Sequence, residues 1–163
     1  MKNNTNHELV SIIPVRSGSK GLPKKNMLEL STKPLYLHAV NQGLNHSDRV
    51  IISTDIEEIK NQELPSNCSI CWRPNSLAQD NTPMSDVISY VIKKNSLDRL
   101  NILLLQATSP LRNGDDIEKC KNLFSSGKYN LVMSVVRQNN SVFKFGVMKK
   151  NIFKPINDPK FCF

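Results

Sequence analysis

The segment VRSGSKGLPKKN, Val15 to Asn26, gathers four cations (Arg16, Lys20, Lys24 and Lys25) and two glycines (Gly18 and Gly21) into twelve residues. That mixture suits a polyphosphate. Glycine permits positive φ and close backbone approach, successive amides can form an anion nest, and arginine offers a forked contact where lysine offers a point charge. The same residues could also make a solvated basic turn. Position favours anion binding: the segment directly follows Leu9 to Val15 (LVSIIPV), an apolar run that reads as a first buried strand, and α/β sheets bind ligands outside the carboxyl ends of their strands. The spacing Gly18-Ser19-Lys20-Gly21 matches neither GxGxxG nor GxxxxGK[ST], which disfavours a dinucleotide oxidoreductase and a P-loop NTPase.

Stepping along the chain, strand-length apolar runs alternate with helix-period segments, the pattern of an αβα sandwich around a mainly parallel sheet. Pro34 suits the first residue of a helix reaching about His46. Arg49 to Thr54 reads as a second strand ending at Asp55, followed by a short acidic helix, and Cys68 to Trp72 as a third. Met84, Val87, Ile88, Val91 and Ile92 fall on one face of a helix from Thr82, its expected N-cap, to about Asn95. Asn101 to Gln106 reads as a fourth strand, Asp115 to Ser126 as a helix with Ile117, Cys120, Leu123 and Phe124 on one side, and Leu131 to Val136 as a fifth strand. Val142 to Phe163 alternates only weakly.

The 163 residues fit one ordinary domain, and 39% hydrophobic with 22% charged residues is a globular composition. The net charge of +8 suggests an anionic partner and is uneven: +4 over residues 1–50, −2 over 51–110 and +6 over 111–163. A nucleic-acid module is disfavoured, because no recognition-helix pattern or aromatic-studded strand accompanies the charge. The polar start MKNNTNHE lacks the apolar stretch of a signal peptide, and no run approaches the roughly 18 apolar residues of a membrane span. The expectation is a cytoplasmic protein without membrane contact.

Several residues are read as structural. Cys68 and Cys71 have half a metal knuckle's spacing, but no second pair is near and strand alternation sends them to opposite faces, so no zinc is expected. His7, His38 and His46 have no catalytic or metal context. Asp55 could orient a ligand or cap the following helix, Asp80 is expected to brace the turn before Thr82, and Asp115 and Asp116 suit a helix amino terminus.

The run IIPVRSGSKGLPKKN resembles the amino-terminal motif of the CMP-N-acylneuraminate synthetases, and RVIISTD (Arg49 to Asp55), RPNSLAQDNTP (Arg73 to Pro83) and LLLQATSPLR (Leu103 to Arg112) continue the resemblance in order. It implies a three-layer αβα sandwich with a Rossmann-like sheet of the nucleotide-diphospho-sugar transferase type, a single cytidylyltransferase-like domain over residues 1–163 that is incomplete at its carboxyl terminus. The implied reaction transfers CMP from CTP to the anomeric hydroxyl of an acylneuraminate or related nine-carbon nonulosonic acid and releases pyrophosphate. By the same likeness Arg16, Ser19, Lys20 and Lys25 hold the triphosphate, with Lys20, Arg16 and Lys25 the groups expected to matter for the rate. Asn26 and Arg73 read the cytosine through amide and guanidinium donors. Gln106, with Thr108 and Ser109, contacts the sugar.

The chain departs from that pattern in three ways. Ala107 replaces an expected proline, and Met84 stands where some relatives offer a hydroxyl to the nucleotide. Family chains also continue through an Arg-Gln-x-Leu-Pro segment, an Asn-Gly-Ala-Ile-Tyr strand and an Asp-x-Asp pair that holds Mg2+, whereas this sequence ends at KPINDPKFCF. Mg2+ is thus the implied cofactor with its expected ligands absent, and a full-length form is expected to be a homodimer. The alternative to an active enzyme is a non-catalytic, truncated remnant of one.

Overall fold

A computed structural model of the chain describes residues 8–18 and 21–135, and the backbone of 146–149 and 152–155. Numbered along the chain, the strands are β1 (Leu9–Val15), β2 (Glu29–Leu30), β3 (Lys33–Pro34), β4 (Arg49–Thr54), β5 (Cys68–Trp72), β6 (Asn101–Leu104), β7 (Gly146–Lys149) and β8 (Ile152–Pro155). The α-helices are α1 (Leu35–His46), α2 (Glu57–Lys60), α3 (Met84–Lys94) and α4 (Gly114–Ser125). The main sheet is parallel throughout, in the order β5-β4-β1-β6; β2 with β3 and β7 with β8 form separate antiparallel pairs.

Strand alternation divides the core into two layers. Ile13, Val15, Val50, Ile52 and Cys68 face Tyr36, Ala39 and Val40 of α1 and Ile117 of α4. Val10, Ile12, Ile51 and Cys71 face Val91 of α3 and Leu97. A sheet apolar on both faces must be covered on both faces: α1, α2 and α4 cover one and α3 the other. Each fully buried Val, Leu or Ile here contributes about 1.5–3 kcal/mol by leaving water. Cys68 and Cys71 lie in opposite layers and are free thiols, as alternation requires. Helix α1 approaches the sheet closely at Gly43, where a Cβ would stand 3.0 Å from Val50 Cγ2 and 3.1 Å from Ser11 Cβ.

Most of the expected elements form, with shifts at their ends. Pro34 is the N-cap of α1 instead of its first residue. Pro83, not Thr82, is the N-cap of α3, because its own φ of −61° and ψ of 142° already set the chain's entry; the Thr82 hydroxyl lies 3.5 Å from the Ser76 carbonyl. Asn113 caps α4 by accepting from the Asp115 N–H, one residue earlier than expected. Residues 131–135 of the expected fifth strand are not in a strand, and Leu131 and Val135 are 72% and 80% exposed. Alternating apolar residues make a strand only where an edge pairs with them, and no strand among the described residues pairs with the outer edge of β6. Val136 lies outside the described residues. Among these residues no helix is long and apolar enough to cross a membrane.

Candidate nucleotide site

Strand register assembles the site. Val15 pairs with Thr54, and Thr54 with Trp72, so the next residues on the three strands, Arg16, Asp55 and Arg73, emerge side by side at the carboxyl edge of the sheet. On the other flank the Leu105 N–H bonds to the Ile12 carbonyl, carrying the chain of β6 to Gln106 at the same edge. Between them opens a cleft of about 130 Å3 lined by Arg16, Gly18, Lys25, Asn26, Arg73 and Gln106, with Pro14, Met84, Ala107 and Thr108 completing the wall.

Arg73 is 2% exposed. Its Nη2 donates to the Ser53 carbonyl at 2.7 Å and its Nε to Ser53 Oγ at 3.3 Å. Burial lowers its pKa, and the nearby Asp55 carboxylate works against that shift; a guanidinium stays charged regardless. A buried cation with a fixed orientation on a cleft wall is a preorganised donor.

Asn26 is 7% exposed, in the short 3-10 turn Lys25–Met27. Its Nδ2 donates to the Arg16 carbonyl at 2.9 Å. A carbonyl can only accept, so this bond fixes the amide's orientation. The buried Oδ1 is left without a hydrogen-bond partner at the cleft wall. An orphaned buried acceptor costs about 1–3 kcal/mol until a donor reaches it. The sequence suggests that this amide acts as a donor; one Nδ2 N–H is engaged by the Arg16 carbonyl, and Oδ1 is an acceptor with no hydrogen bond among the described residues.

The loop after β1 is held from two sides. The Ser17 N–H donates to Asp55 Oδ1 at 2.8 Å and its hydroxyl to Asp55 Oδ2 at 2.6 Å. Arg16 Nη1 lies 2.7 Å from Asp80 Oδ1. Asp55 therefore does not cap α2, whose N-cap Ile56 makes no side-chain cap bond; the Ile56 N–H bonds to Thr54 Oγ1 instead. Asp80 reaches beyond its own turn to the loop. A second, shallower cavity of about 420 Å3, lined by Arg16, Ser17, Gly18, Asp55, Asn75, Ala78, Gln79 and Asp80, adjoins the first through Arg16 and Gly18.

The remaining expectations fare differently. Lys24 turns from the cleft to Glu58, 3.2 Å away, and that contact helps hold the Glu58 pKa below the ordinary range, after the larger effect of a backbone hydrogen bond. Neither glycine is recorded with a positive φ, and among the described residues of the loop the left-handed one is Lys24, at φ 51°. A Cβ on Gly18 would nevertheless stand 3.2 Å from Arg16 Nη1, so close packing still favours glycine there. Ser19 and Lys20 lie outside the described residues. Ser109 is exposed and does not line the cleft; its N–H closes a turn on the Gln106 carbonyl.

One supporting residue escaped the sequence reading. Arg112 donates from Nη1 to Gln42 Oε1 at 2.8 Å and from Nη2 to the Gln106 carbonyl at 3.2 Å, while the Gln42 amide donates back to the Arg112 carbonyl. This ties the Gln106-to-Arg112 loop to α1. The signal was present in LLLQATSPLR, but the partner is 70 residues away. As for Mg2+, no group of three or more His, Cys, Asp or Glu among the described residues is placed to hold a metal ion. The carboxylates that contact the loop, Asp55, Asp80 and Glu58, are engaged by Ser17, Arg16 and Lys24. The described donor set does not fit a protein-held Mg2+.

A cytidylyltransferase family profile matches residues 10–154. The N-acylneuraminate cytidylyltransferase of Streptococcus agalactiae serotype V is 35% identical over 140 residues, covering 82% of this chain and 34% of that protein. The enzyme of the same name from Escherichia coli O18:K1:H7 is 32% identical over 154 residues, covering 93% of this chain and 35% of its own length. The CMP-N,N'-diacetyllegionaminic acid synthase of Legionella pneumophila is 30% identical over 154 residues, with 90% and 66% covered. The chain thus spans from 34% to 66% of the length of these relatives. Among solved structures, CMP:2-keto-3-deoxy-manno-octonic acid synthetase complexed with CTP shares the fold with a TM-score of 0.61 at 22% identity, over 73% of this chain and 48% of that one. Rv0371c from Mycobacterium tuberculosis shares it with a TM-score of 0.55 at 8% identity, over 74% and 62%.

Proposed function

The chain belongs to the cytidylyltransferase family, and we propose that it binds CTP in the cleft between β1, β5 and β6 and serves transfer of CMP to the anomeric hydroxyl of an acidic nonulosonic sugar. In that step the hydroxyl oxygen attacks the α-phosphorus and releases its proton to solvent, the bond from the α-phosphorus to the α,β-bridging oxygen breaks, and pyrophosphate leaves. The observation that carries the reading is the pair of opposed groups on the cleft wall. Asn26 presents a buried acceptor without a partner, and Arg73 a buried, oriented donor. Cytosine offers the complement, a 4-amino donor beside the N3 and O2 acceptors. Uracil carries an oxygen at position 4, which would face Asn26 Oδ1 acceptor to acceptor. A site built around one buried polar group rejects the analogue that cannot satisfy it.

Arg16 and Lys25, cations lining the same cleft, are the groups offered to the phosphates, and Lys20 and Ser19 are assigned to the triphosphate by the sequence motif alone. Phosphoryl-type transfer asks the protein chiefly for positioning and for charge at the reacting and leaving oxygens. Gln106 and Thr108, at the far wall, are the groups offered to the sugar. No step is assigned to a protein-held metal ion.

Calorimetric titration with CTP and with UTP, each with Mg2+ in solution, tests the reading. Binding of CTP at least tenfold tighter than UTP is expected, and equal affinities or no CTP binding would overturn it. Adding nonulosonic acids and following pyrophosphate release then separates a working enzyme from a chain that binds nucleotide without turning it over.

A further inference from the structure

Asp55 and Asp80 place two carboxylates against a loop whose other features favour an anion. Like charges beside an anion site weaken it unless they serve some other end, and the geometry assigns each a different one. Asp55 holds backbone: both of its oxygens are taken by Ser17, through the N–H at 2.8 Å and the hydroxyl at 2.6 Å. Asp80 holds a side chain: its Oδ1 lies 2.7 Å from Arg16 Nη1, and about a third of each side chain is exposed.

We infer that Asp80 is the resident counter-ion of Arg16, which the nucleotide's phosphates displace, while Asp55 is the positioning residue that keeps the loop in shape during the exchange. This rests on the CTP reading given above. Arg16 is common to both cavities, whereas Asp80 lines only the outer one. A guanidinium on that boundary can leave a carboxylate for a phosphate by side-chain movement. The main chain need not move, since Ser17, the next residue, stays clamped to Asp55. The ion pair keeps the Arg16 fork ordered before ligand arrives, and phosphate, with more charge and more acceptor oxygens, takes it over.

Opposite signs in one assay follow. Removing the competitor tightens CTP binding; removing the clamp weakens it. An ion pair this exposed opposes binding only modestly, so Asp80→Asn should lower the Kd for CTP about two- to fivefold, while Asp55→Asn should raise it. Asp80→Glu, which retains a carboxylate for Arg16, should stay near wild type. Asp80→Ser is measured in parallel, so that misfolding of one variant leaves the comparison intact.

The decisive experiment is a double-mutant cycle on the 163-residue chain, titrated with CTP and Mg2+. In an Arg16→Ala background Asp80→Asn should give no gain, because the Arg16–Asp80 ion pair is already gone. If Asp80→Asn tightens binding equally with and without Arg16, Asp80 does not act through Arg16 and the exchange is refuted. If wild type binds CTP and Asp80→Asn and Asp80→Ser leave the Kd unchanged or raise it, the exchange is refuted while the CTP reading stands. If wild type does not bind CTP, both fall.

Discussion

Replacing Arg73 by lysine retains the charge and removes the fork. The Arg73 guanidinium makes two side-chain bonds to Ser53, one of 2.7 Å to the carbonyl and one of 3.3 Å to Oγ. Hydrogen bonds from charged groups are each worth about 1.5–3 kcal/mol, and the longer one belongs at the low end. An ammonium on a shorter reach can keep one of them, so Arg73→Lys should cost about 1–2 kcal/mol of folding stability. On the ligand side it loses one of two parallel donors to a base edge, a contact worth about 1–3 kcal/mol. At 1.4 kcal/mol per decade this raises the Kd for CTP by about 5- to 150-fold. Urea unfolding gives the first number and calorimetry the second. A variant with unaltered stability and a CTP Kd within about twofold of wild type would refute the assignment of Arg73 to the cleft wall; comparable loss for CTP and an unrelated triphosphate would show that Arg73 does not read the base.

Gly43→Ala should destabilise the fold by about 1–3 kcal/mol in urea unfolding, because its Cβ would meet Val50 and Ser11 at 3.0 and 3.1 Å where α1 packs on the sheet. Arg112→Ala should leave the Kd for CTP within about twofold and weaken saturation by the sugar acid in pyrophosphate-release assays, since Arg112 ties down the loop bearing Gln106 and not the base pocket. The Cys68 thiol is pushed up to about 11 by burial, from 9.0. The folded state thus holds the proton more tightly, so this contribution is complete below pH 9 and is lost as pH rises toward 11, by about 1 kcal/mol between pH 9 and 10. Between those two pH values the unfolding free energy of wild type should fall by about that much more than that of Cys68→Ala.

The fold was legible where periodicity is local. The strands β1, β4 and β5 and the helix α3 follow from runs and spacings within a dozen residues, and the parallel register then forces Arg16, Asp55 and Arg73 to one edge. Lys25, Asn26, Gln106 and Thr108 were likewise found through motifs and do meet in one cleft. What escaped depends on distant partners. Asp55 was left between two roles and Asp80 was read as a turn brace, because Ser17 and Arg16 lie 38 and 64 positions away and a single sequence carries no sign of either pairing. The strand expected at 131–136 does not form over residues 131–135: its alternation is local, but a strand also needs a paired neighbour, and none of the described strands pairs with these residues. The orientation of the Asn26 amide was likewise not legible, since only the Arg16 carbonyl reveals that Nδ2 already donates one bond while Oδ1 accepts none among the described residues.

The central claim is that Asn26 and Arg73 select cytosine, and a crystal structure of the chain with CTP tests it most directly. The account predicts the 4-amino group within hydrogen-bonding distance of Asn26 Oδ1, with N3 and O2 turned toward the Arg73 guanidinium. A base seated elsewhere, or turned with its amino group away from Asn26, would contradict it.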